Sequence, residues 1–78
     1  MNLEFDRQLG ENLRRLRKSR HMTQDQLAAK LQVRGCDVTR SALAKMEAGQ
    51  RYFYSDELYC LKGILQCDFD ELFRQEQP

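Results

Sequence analysis

Apolar residues in this chain fall in short groups at helical spacing, with polar residues filling the intervals. Phe5, Leu9, Leu13 and Leu16 step by four, four and three, which places them on one side of a helix over 6–19. Leu27, Ala28 and Leu31 form a second stripe, Ala42, Leu43 and Met46 a third, and Leu58, Leu61 and Leu65 a fourth with Cys60 and Ile64 alongside. Phe69, Leu72 and Phe73 form the apolar side of a short last helix. The predicted helices run over 6–19, 24–34, 40–48, 56–65 and 69–74. No segment of useful length alternates with the period of a strand.

Start and stop signals agree with these stripes. Thr23 and Gln26 have the spacing of a capping box, so the second helix begins at Gln24. Gly35 is its stop signal, and Cys36 is expected to tuck back against the helix end as the apolar residue of a C-terminal motif. Thr39 is the expected N-cap of the third helix, Ser55 of the fourth and Asp68, with Glu71 three residues on, of the fifth. His21 reads as a turn residue. Gly63 lowers the propensity of the fourth helix by about 1 kcal/mol relative to alanine, which a close helix contact would explain. The tail from Arg74 to Pro78 is expected to fray. Residues 22–49 thus hold two short helices around a Gly-marked turn, the sequence form of a helix-turn-helix, within an all-α, compact five-helix bundle with an extended turn between helices 2 and 3.

At 78 residues the chain reads as one domain over 1–78, near the lower limit for a single unstapled core, so dimerisation would be a natural supplement. No apolar run approaches the roughly 20 residues of a membrane-spanning helix and no secretory signal opens the chain, so a cytoplasmic location is expected. Cys36, Cys60 and Cys67, with His21 the one histidine, lack the spacing of a zinc site or a disulfide framework; no metal or cofactor is expected. The formal charge of +1 conceals an asymmetry. Residues 1–51 carry eleven basic against six acidic side chains, a net +5, whereas residues 52–78 carry two against six, a net −4. That division points to one face for polyanions and another kept away from them. The cations of 14–20 also suit the negative end of the first helix dipole, which explains them without a partner.

Together, Leu16-Arg17-Lys18 before Met22-Thr23-Gln24, Leu27-Ala28, Val38-Thr39-Arg40-Ser41 running into Met46-Glu47-Ala48-Gly49, and Asp70-Glu71-Leu72-Phe73 resemble the Cro and phage-repressor type, the xenobiotic-response-element-like helix-turn-helix domains. The resemblance covers roughly residues 9–73. The chain departs from it between Leu31 and Val38, where common members need two steps and this one takes seven, a difference that bears on the angle between helices 2 and 3.

The resemblance implies a sequence-specific double-stranded DNA-binding transcriptional regulator, a repressor in the first instance, acting as a homodimer with the third helix in the major groove. Base-reading residues would then be Thr39, Arg40, Ser41 and Ala44. Arg40 leads them, because a guanidinium makes two hydrogen bonds to guanine, worth about 1–3 kcal/mol of discrimination; the plainer reading of Arg40 is a phosphate contact, and of Ala44 ordinary helix propensity. Gln24, Lys45, Gln50, Arg51 and Arg15 would contact phosphates. Arg17 and Glu47 match an ion pair that ties the reading helix to the scaffold. Phe69, Leu72 and Phe73 would form the dimer interface, with Tyr54 adding to it. For Tyr52, Phe53 and Tyr54, packing of the loop or a dimer contact is preferred over a stacking platform for single strands. One histidine and no phosphate-cradling loop leave no basis for an enzyme. The alternative from another class is a protein-protein interaction module or antitoxin-like partner-binding domain on the same fold, against which the cations of the third helix weigh.

Overall fold

The computed structural model describes residues 3–76. Five helices follow one another: α1 (Leu3–Ser19), α2 (Gln24–Val33), α3 (Arg40–Glu47), α4 (Ser55–Leu65) and α5 (Phe69–Phe73). There is no strand among the described residues. The apolar stripes meet in one core, in which Leu13, Leu27, Leu31, Leu43, Met46, Leu61 and Leu65 are fully buried. α1 packs against α3 and α5, and α2 against α3 and α4. None of the helices is long and apolar enough to cross a membrane.

α1 begins at Leu3 rather than near residue 6, because Glu4 and Asp6 suit the positive end of the helix and Arg7 bridges Glu4 and Glu11 one turn to each side. Phe5 then packs on Phe73, the ring centroids 6.2 Å apart, and joins α1 to α5. The fourth helix starts one residue earlier than expected: Tyr54, not Ser55, occupies the cap position, and its N–H donates to the Glu57 carboxylate at 2.9 Å. Asp68 caps α5 in the expected place, its N–H donating to Glu71 at 3.0 Å. α2, α3 and α5 each stop one residue short of the expected ends, with Arg34, Ala48 and Arg74 as their C-caps. Gln77 and Pro78, included in the expected frayed tail, lie outside the described residues.

α1, α2, α3 and α4 all end in the same way, with a left-handed residue whose successor folds back on the helix. These are His21 (φ 59°), Gly35 (φ 85°), Gly49 (φ 74°) and Gln66 (φ 51°). After α1, for instance, the His21 N–H reaches the Lys18 carbonyl at 2.9 Å and the Met22 N–H the Arg17 carbonyl at 3.2 Å. This double bond satisfies carbonyls that the helix leaves open. His21 is the turn residue the sequence indicated, in a conformation glycine adopts more readily. At Gly63 a Cβ would meet only the Arg34 guanidinium, 2.5 Å away at the end of a flexible side chain, so the expected close helix contact is not what requires glycine there.

Candidate nucleic-acid interface

The helix-turn-helix is fixed locally at each of its joints. The Thr23 hydroxyl accepts the Gln26 N–H at 3.1 Å while the Gln26 side chain accepts the Thr23 N–H at 2.8 Å, the capping box expected of that pair. At the other end of α2 the Gly35 N–H bonds the Gln32 carbonyl and the Cys36 N–H the Leu31 carbonyl, both at 2.9 Å, and Cys36 is buried as expected. Gln32 then spans the long turn. Its amide donates to the Asp37 carboxylate and to the Val38 carbonyl, each at 3.0 Å, while Val38 is buried in the core. The Thr39 hydroxyl accepts the Ala42 N–H at 3.1 Å and starts α3. The seven-step passage from Leu31 to Val38 is therefore an ordered connection.

α3 is held to the scaffold by a buried polar network. Arg17 grips Glu47 with two bonds, Nε to Oε2 at 2.6 Å and Nη2 to Oε1 at 3.0 Å, and donates a third to the Met22 carbonyl at 2.8 Å. The two side chains are only 8% and 4% exposed. Gln24, at the first position of α2, adds a bond to Glu47 at 3.1 Å. Gly10 completes the clamp from α1, since a Cβ there would strike the Met46 and Glu47 carbonyls. No buried side-chain nitrogen or oxygen among the described residues lacks a partner.

What remains outward on α3 is polar apart from two alanines at its C-terminal half. Arg40, Ser41, Lys45 and Ala48 are exposed, Ala44 is half-buried, and Thr39 is exposed ahead of them. Arg40 makes one loose contact, 3.7 Å to Asp25, with both side chains well exposed. Such a pair is worth about 0–1 kcal/mol and yields readily to a better acceptor. Beside this face a shallow hollow is lined by Arg14, Arg17, Gln24, Ala44, Glu47 and Ala48.

The structure redistributes several of the expected contacts. Arg15 bonds the buried Asn12 at 3.1 Å, and Asn12 in turn donates to the Leu72 and Arg74 carbonyls at 2.8 and 2.7 Å, so Arg15 lies toward α5. Arg14, one of the cations of 14–20 but not among the expected phosphate contacts, is the exposed α1 cation beside α3. Gln24 is partly committed to Glu47, although it stands at a helix N-terminus. Gln50 is exposed, and its N–H closes α3 on the Lys45 carbonyl at 2.8 Å. Arg51 is not a free cation: both ends of its fork bond Glu57 at 2.9 Å, and its guanidinium lies 5.2 Å from the Tyr54 ring centre. This pairing raises the Arg51 pKa above its usual value. Burial pushes the Glu57 carboxyl up, but the bonds from Arg51 and the Tyr54 N–H outweigh it and leave Glu57 below its usual range.

The expected dimer residues divide in the same manner. Leu72 is 0% exposed and belongs to the core of its own chain, so it is not available to a partner. Phe73 is half-buried on Phe5, while Phe69 is exposed, stacked on Phe73 at 6.1 Å and covered in part by Lys62. In the aromatic loop Phe53 packs against the core, and Tyr52 and Tyr54 are exposed.

A family model described as a helix-turn-helix domain matches residues 8–59, from the middle of α1 into α4. Over 70 residues, 90% of this chain, the sequence is 33% identical to the HTH-type transcriptional activator BcrR of Enterococcus faecalis. That stretch is 32% of the relative, so the chain spans about a third of its length. No solved structure gives a significant match. The match takes in both helices, the turn between them and the network that anchors α3, and the chain belongs to the helix-turn-helix domain family, whose members are xenobiotic-response-element-like DNA-binding domains.

Proposed function

We propose that this chain is a sequence-specific binder of double-stranded DNA that regulates transcription by laying α3 in the major groove. One observation carries the reading: with Glu47 and Met46 committed inward, the outer face of α3 exposes Arg40, Ser41 and Lys45 together, with Arg14 beside them, a set of donors and cations that suits a polyanion. Arg40 reads a guanine edge through its two-pronged donor set, Ser41 and Thr39 bond adjacent bases, and the Ala44 methyl meets a thymine methyl. Gln24, Lys45, Gln50 and Arg14 contact phosphates, with Arg14 taking the place first given to Arg15. Arg51 supports the loop through Glu57 and adds its charge to the field.

The regulator acts as a homodimer on an inverted repeat with half-sites about 34 Å apart. Repression follows where its site overlaps a promoter; the Enterococcus relative is named an activator, and site position sets the sign. Selection from random duplexes, followed by titration of the winning site against scrambled DNA at several salt concentrations, tests the proposal. An inverted repeat bound about a thousandfold tighter than scrambled DNA is expected, with selectivity lost in Arg40→Ala. Arg14→Ala lowers the salt slope by about 0.9 and Arg15→Ala leaves it unchanged. Failure to enrich any site would overturn the proposal in favour of a protein-binding module.

A further inference from the structure

The long turn between α2 and α3 carries Cys36, and the middle of α4 carries Cys60. Their sulfurs lie 2.9 Å apart although the residues are 24 apart in sequence, and all three cysteines are free thiols. A disulfide has its sulfurs about 2.05 Å apart, so these two stand within about 1 Å of bonding distance. The two thiols differ in access. Cys36 is 4% exposed, whereas Cys60 is half-buried and reachable from solvent. The contact with Cys60, followed by burial, pushes the Cys36 pKa up to about 11, so Cys36 stays protonated at rest and the more exposed Cys60 is the sulfur that meets an oxidant first. Cys67, the third cysteine, is buried, and burial also holds its thiol protonated.

We propose that Cys36 and Cys60 are an oxidation site at which a peroxide forms an intrachain disulfide, stapling the α2–α3 turn to α4. The Cys60 sulfur, on giving up its proton, attacks one peroxide oxygen; the O–O bond breaks, and the departing hydroxide leaves with that proton as water. The Cys36 sulfur then attacks the Cys60 sulfenic acid, the S–S bond forms as the S–O bond breaks, and the second hydroxide takes the Cys36 proton. In sum two thiols and one hydrogen peroxide give one disulfide and two waters, with two electrons passing from sulfur to oxygen. Because the two sulfurs are already in contact, the staple is expected to leave Val38 and the Thr39 cap of α3 in place, so that the oxidised domain keeps its fold while its unfolded state is constrained. The proposal does not depend on the DNA-binding reading.

The test treats the full chain with hydrogen peroxide and follows intact mass, a non-reducing peptide map and thermal unfolding. The expected product has lost two hydrogens, carries a Cys36–Cys60 cross-link, melts higher by on the order of 10 °C, and returns to the starting state with dithiothreitol. Cys67→Ser leaves the reaction intact, and Cys60→Ser, at a half-buried site, abolishes the cross-link. Oxygen addition at Cys60 with Cys36 still free, cross-linking between chains, linkage through Cys67, or a disulfide without a rise in melting temperature would each overturn it.

Discussion

Removing Glu47 tests the claim that α3 is anchored by a buried charge pair. In Glu47→Ala the Arg17 guanidinium stays buried with two donors unpaired and only the Met22 carbonyl still bonded, and Gln24 loses its acceptor. Breaking a buried pair from one side costs about 3–5 kcal/mol. A 78-residue domain holds roughly 4–12 kcal/mol in all at about 0.05–0.15 kcal/mol per residue, so the variant is largely or wholly destabilised. Arg17→Ala strands the carboxylate and is equally severe. The double variant Arg17→Met/Glu47→Leu removes both charges and keeps the volume, so it loses less than either single change, limited to about 1–3 kcal/mol for each polar group left without its partner. Urea unfolding followed by far-UV circular dichroism at 25 °C measures all three. A single variant losing under about 1 kcal/mol, or a double variant losing the sum of the two singles, would refute the reasoning. High salt should matter little to wild-type stability, since water and ions reach this pair poorly.

Gln66→Gly should stabilise the domain by about 0.5–1 kcal/mol, because the left-handed backbone strains glutamine more than the added freedom of glycine favours the unfolded chain; a melting temperature equal to or below wild type would contradict this. Gly10→Ala gains about 1 kcal/mol of helix propensity but drives a Cβ into the Met46 and Glu47 carbonyls, and overpacking of about 1–3 kcal/mol gives a net loss in chemical denaturation. Acid titration should expose the Arg51–Glu57 pair: a carboxyl whose folded pKa is depressed stabilises above its unfolded value and loses that contribution as pH falls through the folded one. Wild type should therefore lose stability below the ordinary glutamate range by more than Glu57→Gln does, as melting curves across the acid range would show.

Much of the fold was legible because its signals are local. The capping box of Thr23 and Gln26, the stop at Gly35 and the cap at Thr39 each act within five residues, and the structure reproduces all three. The left-handed ends at His21 and Gln66 were harder to read, since neither residue is a glycine. Arg17 and Glu47 stand 30 residues apart, a distance over which periodicity says nothing about pairing; their bond was expected only through resemblance to a family. Leu72 was misassigned for a different reason. An apolar stripe shows that a face is buried without showing what buries it, and a chain this short uses such residues for its own core first.

The cations of α1 and of the loop after α3 show where the remaining information lay. On a helix, residues three apart share a side, so Arg14 must accompany Arg17, and Arg17 is directed to α3 by Glu47; by the same spacing Arg15 accompanies Asn12, which bonds the end of α5. Choosing Arg14 over Arg15 therefore required only the ion pair, carried one turn back along α1. Arg51 offered no such rule, because it lies in a loop and meets Glu57 one turn into the next helix, where no fixed period connects the two. Cations on regular structure can be placed from a single known contact, whereas cations in loops need the fold itself. For that reason the Arg17–Glu47 pair alone orients Arg14 toward α3, whereas the loop from Gln50 to Tyr54 is positioned only through the pairing of Arg51 with Glu57.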